Sequence, residues 1–223
     1  MSRQPRTQNV TTDAGEARIT WVTSPAPRLV LAVSHGAGGG IEARDLKALA
    51  AALPGHGVTV ALVEQPWRVA GKKVAPAPKT LDTGWRGLWP ALAAPGLPVV
   101  SGGRSAGARV ACRTATELGA AAVLALSFPL HPPGKPEKSR ADELLGAGVP
   151  TLVVQGGNDP FGRPDEFPPG PYALAEVPHG PYALAEVPHG DHGFAVPKRS
   201  GVTEEQTMRV LTDAVAGWIA SLG

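Results

Sequence analysis

The chain carries a single cysteine, Cys112, in 223 residues, so no disulfide can form within it and the fold must rest on a packed core. Such usage suits a reducing compartment. Residues 1–9 are polar where a secretory leader would be apolar, and the expectation is a cytoplasmic protein. Long apolar runs are missing as well. Leu29-Val30-Leu31-Ala32-Val33 is among the longest, far short of the roughly 20 residues that a bilayer-spanning helix needs. Charge of either sign is sparse: charged residues make up 18% of the chain and the net charge is +2. That balance implies neither a nucleic-acid footprint nor an acidic partner.

What is present fits one domain over residues 1–223, long enough to bury a substantial core, with residues 1–16 a partly flexible lead-in. Strand-like apolar runs at 17–22, 29–34, 58–63, 97–101, 121–126 and 151–155 alternate with helical stretches at 42–53, 81–93, 106–118 and 141–145. The central runs are continuously apolar, as strands covered on both faces must be. In the first helical stretch Leu46, Leu49 and Leu53 share one face. Near the C-terminus Thr203 and Gln206 have capping-box spacing ahead of a stripe of Leu211, Val215, Trp218, Ile219 and Leu222. This alternation predicts an α/β fold, a mostly parallel central sheet with helices on both faces.

One feature breaks the pattern: PYALAEVPHG occupies residues 171–180 and again, unchanged, 181–190. Two copies of a unit one strand long do not make a solenoid, and a recent tandem duplication accounts for them. Each copy reads as a strand stopped by proline and glycine, and the fold needs only one.

The chemistry centres on Gly103-Arg104-Ser105-Ala106-Gly107, which follows an apolar strand and opens a helix. A G-x-S-x-G pentapeptide in that position is a nucleophile elbow, a sharp turn that lifts the serine above the sheet. Such a serine needs an acid and then a histidine further along the chain. Asp159 lies just past the 151–155 strand, although Asn-Asp-Pro is also a good turn former. Of His179, His189 and His192, the last sits on a glycine-flanked loop between the final strand and the final helix, which makes it the candidate base, with His189 next. The Ala106 N–H is the expected first oxyanion donor. The second would come from His35-Gly36-Ala37-Gly38-Gly39-Gly40, with Ala37 ahead of Gly38. Cys112 reads as a small core residue rather than a rival nucleophile.

Two other readings are weaker. Gly38-Gly39-Gly40-Ile41-Glu42-Ala43 fits a dinucleotide fingerprint, with Glu64 at about the right distance as a ribose ligand, but this leaves the elbow unexplained. His189, Asp191 and His192 lack the spacing of a metal site. The expected chemistry needs no metal and no cofactor.

The chain resembles the small lidless α/β-hydrolases of the dienelactone-hydrolase-like superfamily, the group that includes a testis-expressed hydrolase-like protein and a histone acetyltransferase complex subunit. The residues that carry the likeness are His35-Gly36-Ala37-Gly38, Pro66-Trp67-Arg68-Val69-Ala70-Gly71, residues 102–109 around the elbow, 128–136 and 155–162. The resemblance implies an α/β-hydrolase fold with Ser105, Asp159 and His192 as triad. It departs in two respects: true dienelactone hydrolases use a cysteine nucleophile, and the repeat beside His192 is foreign to the family pattern. The Pro-rich stretch between 126 and 151 has no room for a large lid. An open site for small esters, thioesters or lactones is expected, with no nucleic-acid or membrane partner. Gly38, Trp67, Arg68 and Arg104 are candidates for touching substrate. Arg68, Lys72 and Lys73 would favour an anionic one or form a solvated basic loop. The competing class is a hydrolase-shaped binding or scaffold protein with little turnover.

Overall fold

The computed structural model describes residues 5–168 and 182–222. Its strands are β1 (Arg6–Thr12), β2 (Gly15–Val22), β3 (Leu29–Ser34), β4 (Val58–Glu64), β5 (Val99–Arg104), β6 (Ala122–Leu126), β7 (Thr151–Gly156) and β8 (Ala183–Val187). The helices are α1 (Arg44–Ala52), α2 (Pro66–Val69), α3 (Pro78–Ala93), α4 (Ala106–Leu118), α5 (Ala141–Leu145) and α6 (Glu204–Ala220). The strands make one sheet in the order β1-β2-β4-β3-β5-β6-β7-β8. β2 pairs antiparallel with both β1 and β4, and every pairing from β4 through β8 is parallel.

Alternation within the apolar strands divides the core in two. Leu29, Leu31 and Val33 of β3 face α1 and α6, where they meet Leu46, Leu49, Leu211, Val215 and Ile219. Val30 and Ala32 face the other way, into Leu81, Trp85, Leu88 and Leu92 of α3. Helices on both faces explain why these strands have no polar side. α4 presents small residues, Ala108, Ala111, Cys112 and Ala115, to a cluster with Val123, Ala125 and Val153, which lets it lie close over β5 and β6. Burial pushes the Cys112 thiol up to about 12, so it stays a protonated core group. The capping box at α6 is formed: Gln206 N–H donates to Thr203 Oγ1 (3.1 Å), and Thr203 N–H to Gln206 Oε1 (2.8 Å).

Two stretches hold elements that the sequence did not show. Within the 1–16 lead-in, Arg6–Thr12 is a full strand paired with β2 and tied by Trp21 Nε1–H donating to Gln8 Oε1 (3.0 Å). It is an edge strand exposed or half-exposed along its length, so it carries no apolar face to read. Pro66–Val69, quoted only as a motif, is a short helix. The second copy of the repeat supplies β8, whose Ala183–Val187 pair with Leu152–Gly156. The first copy, His179 included, lies outside the described residues. No helix among the described residues is long and apolar enough to cross a membrane.

Candidate active site

Ser105 lies where β5 gives way to α4, in the left-handed region at φ 54°, a conformation unfavourable for any residue with a Cβ. Its own N–H donates to the Leu126 carbonyl of β6 (2.9 Å), which pins the turn to the sheet. The flanking glycines permit that turn. A Cβ on Gly103 would lie 2.6 Å from the Gly107 carbonyl carbon, and one on Gly107 would lie 2.9 Å from the Ser34 carbonyl oxygen. The serine is half-buried.

Three loops from the C-terminal ends of parallel strands converge there. Asp159 follows β7 and is fully buried. Its Oδ1 accepts the Phe161 N–H (2.8 Å), and its Oδ2 accepts Gln155 Nε2–H (2.9 Å) and His192 Nδ1–H (2.8 Å). With that proton on Nδ1, Nε2 of His192 is free to accept the Ser105 hydroxyl, 2.8 Å away. Ser105, His192 and Asp159 thus form one continuous hydrogen-bonded chain. The Phe161 ring lies against the imidazole, centroids 4.3 Å apart.

The His192 loop is fixed from within. Asp191 Oδ1 accepts the N–H groups of Gly193 (2.7 Å) and Ala195 (2.8 Å), and Asp191 N–H donates to the Ala195 carbonyl (2.9 Å). Phe194, at φ 57°, is driven fully into the core beneath α6. Arg104 Nη2–H donates to the His192 carbonyl (2.7 Å). His189, by contrast, is exposed and offers its carbonyl to Asn158 Nδ2–H (3.2 Å).

On the other side of the serine, a Cβ on Gly36 would sit 3.1 Å from Ser105 Cβ, so the 35–40 loop runs alongside Ser105 with Ala37 and Gly38 exposed. His35 anchors it. Its Nδ1–H donates to the Gly36 carbonyl (2.9 Å) and its Nε2 accepts the Gln65 N–H (3.2 Å), a pattern that only the neutral ring can make. Burial pushes the His35 pKa down in the same sense. Trp67, expected against substrate, is 6% exposed and packs edge-on to His35 at 5.4 Å, propping the loop from behind. Arg68 pairs with Glu42 (3.4 Å) and Glu64 with Arg18 (3.3 Å). Arg104, expected against substrate, is engaged by Asp45 (3.1 Å) and the His192 carbonyl. Arg109 bridges α4 to α5 through Glu143 (2.6 Å).

Sequence reasoning did not find Gln155, Phe161, Phe194 or Asp45 as parts of this arrangement. Gln155 alone left a signal, a polar residue closing an otherwise apolar strand.

Sheet order and elbow together define an α/β hydrolase. Residues 26–220 match the alpha/beta hydrolase domain family, and the chain belongs to it. Among solved structures it is similar to an α/β serine hydrolase without lid from Xanthomonas campestris (18% identity, 98% of this chain and 96% of that one, TM-score 0.70). It is also similar to a dienelactone hydrolase from Anabaena variabilis (18%, 98% and 99%, TM-score 0.71) and to Est1E from Butyrivibrio proteoclasticus (14%, 97% and 98%, TM-score 0.69). No curated protein matches the sequence. These likenesses establish family and fold and do not reach the narrower group with the testis-expressed and acetyltransferase-complex proteins.

Proposed function

We propose that the protein is a serine hydrolase of small carboxylic esters, thioesters or lactones, acting through an acyl-enzyme on Ser105. The carrying observation is the chain Ser105 Oγ–His192 Nε2 and His192 Nδ1–Asp159 Oδ2, each link 2.8 Å. His192 takes the serine proton as Oγ attacks the acyl carbonyl, and Asp159 keeps the ring in the tautomer that can accept it. The imidazolium then gives its proton to the leaving group. Water, activated by the same ring, releases the acid. The N–H groups of Ala106, at the start of α4 where the helix leaves them unused, and of Ala37 hold the oxyanion. One such donor is worth roughly 10²–10³ in kcat.

The connection from β6 to β7 holds only a 3-10 turn and the five-residue α5, which favours an uncovered site and small soluble substrates. Because Glu42 answers Arg68, an anionic substrate is not required. The Xanthomonas neighbour, described as a serine hydrolase without lid, supports this reading without specifying an ester. The lone buried cysteine suits action in the cytoplasm.

The test is covalent labelling. A fluorophosphonate should modify the parent and not Ser105→Ala, with circular dichroism unchanged between them. A parent that neither labels nor turns over p-nitrophenyl acetate would leave a binding protein on a hydrolase frame.

A further inference from the structure

Arg104 is the residue before the serine in the elbow, and its guanidinium lies where three separate elements meet. Nε faces Asp45 Oδ2 at 3.1 Å in the first turn of α1, and Nη2–H donates to the His192 carbonyl at 2.7 Å. A methyl on Gly36 would sit 3.6 Å from Nη1, and one on Gly193 would sit 3.3 Å from Nη2. Asp45 has no exposed surface, and the Arg104 side chain keeps only 15%. Among the described residues Arg104 is the cation in ion-pair contact with Asp45. A buried carboxylate is costly to maintain for stability alone, which raises the question of what this one does.

Geometry supplies the answer. A guanidinium is a rigid planar group, so a buried carboxylate 3.1 Å from its Nε, in ion-pair contact though outside hydrogen-bond geometry, biases where its other N–H groups point. Asp45 belongs to α1, the helix that packs on α6 through Leu46 and Leu49, and is buried there. The N–H thus aimed holds the peptide of the residue whose imidazole bridges Ser105 and Asp159. Burial raises the Asp45 pKa, and Arg104 offsets part of that rise.

We propose that Asp45 and Arg104 are a positioning pair: the buried carboxylate orients the guanidinium, the guanidinium holds the His192 carbonyl, and the imidazole is thereby set within reach of Ser105. This rests on the reading of Ser105 as nucleophile and His192 as base. It assigns Arg104 to neither substrate nor transition state, and it makes a residue of α1 part of the machinery.

The experiment compares Arg104→Met, Asp45→Asn and the double variant with the parent. It uses fluorophosphonate labelling rates, kcat and KM for p-nitrophenyl acetate and for an anionic ester, and the low-field NMR signal of the His192–Asp159 proton. Each single variant should lose roughly 10–100-fold in kcat and labelling rate, as a slightly misplaced base does, with KM for both esters within twofold. The low-field signal should broaden. The double variant should be no worse than the poorer single one, since both act through one contact. Unchanged kcat overturns the proposal. So does a KM rise confined to the anionic ester, which would make Arg104 a substrate ligand, or a loss that merely follows the folded fraction seen by circular dichroism. If Arg104→Met does not fold, the isosteric Asp45→Asn decides; if neither folds, the pair serves the fold and the proposal fails. A parent that does not label removes the nucleophile reading and this one with it, whereas a labelling parent with unaffected variants removes only this one.

Discussion

Replacing Gln155 by leucine tests how the acid of the site is held. Its Nε2 donates to Asp159 Oδ2 (2.9 Å) and the Gly162 carbonyl (2.8 Å), with the Phe128 carbonyl farther off at 3.3 Å. All three neighbours are acceptors, so the flipped amide would set oxygen against oxygen, and the observed orientation is the one the site permits. Gln155→Leu keeps the volume and removes both protons. Losing a bond to a charged group costs about 1.5–3 kcal/mol and a neutral one about 0.5–1.5, partly offset by the added apolar burial, for a net near 2–4 kcal/mol. For a chain of this length that lowers Tm by roughly 5–15 °C. Asp159 retains the Phe161 N–H and His192, so it is loosened rather than orphaned. The expected fall in kcat is therefore about tenfold, well short of deleting the carboxylate. Gln155→Glu is the companion variant. It preserves shape but touches Asp159 favourably only while it carries a proton, so its deficit should deepen as pH rises. Melting curves and kcat for p-nitrophenyl acetate, taken where both proteins are folded, read both effects. A Tm within about 1 °C of the parent together with kcat within twofold would refute the argument that this amide sets Asp159.

Asp159→Asn should fold like the parent and lose about 10⁴ in kcat, because an amide favours the wrong imidazole tautomer; near-parental turnover would move the role to another acid. His131 has an acceptor on each ring nitrogen, the Pro132 carbonyl (3.0 Å) and Glu166 (2.9 Å), which hold its pKa up against burial and Arg140. A raised folded pKa gives stability that is complete below the unfolded value of about 6.5 and is lost as pH climbs through the folded one. The Tm gap between parent and His131→Ala should accordingly narrow from pH 5.5 to pH 9, and a gap that widens contradicts the assignment. Deleting residues 171–180 should leave β8 in place, activity within twofold and Tm no lower, since shortening a connection removes closure entropy of order 1 kcal/mol. Tyr182 already reaches the Pro168 carbonyl, and three bridging residues would span up to roughly 13 Å.

The parts of the fold that were legible are those where local and global preference agree. β3 to β7 lie between helices, so both faces of each strand are apolar and the run is continuous. α4 begins and ends where the sequence suggests because the elbow starts it and Gly119, in the left-handed region, stops it. α6 announces itself by its capping box. β1 does not, because an edge strand pairs through backbone and its side chains need satisfy nothing but water. The site divides along the same line. Ser105, Asp159 and His192 are marked by their places at strand ends, a local property. Asp45 is an ordinary first-turn acid until the structure brings Arg104 to it, and Trp67 looks like a substrate contact until its burial is known.

The repeat shows which residues decide a register that the sheet itself leaves open. Both copies read Tyr-Ala-Leu-Ala-Glu-Val, so either would pair with β7 through the same side chains. The loops downstream of the two copies differ. After the second copy, Asp191 clamps its own loop with a carboxylate and an N–H, His192 projects between Ser105 and Asp159, Gly193 passes beside Arg104, and Phe194 fills the core under α6. Ten residues earlier the corresponding positions are Pro181, Tyr182, Ala183 and Leu184. A proline there offers neither the carboxylate nor the N–H, a phenol cannot bridge an acid and a serine as imidazole does, and an alanine would bring a Cβ against the guanidinium. The sheet is indifferent between the copies. The loop after it is not, and it selects the second.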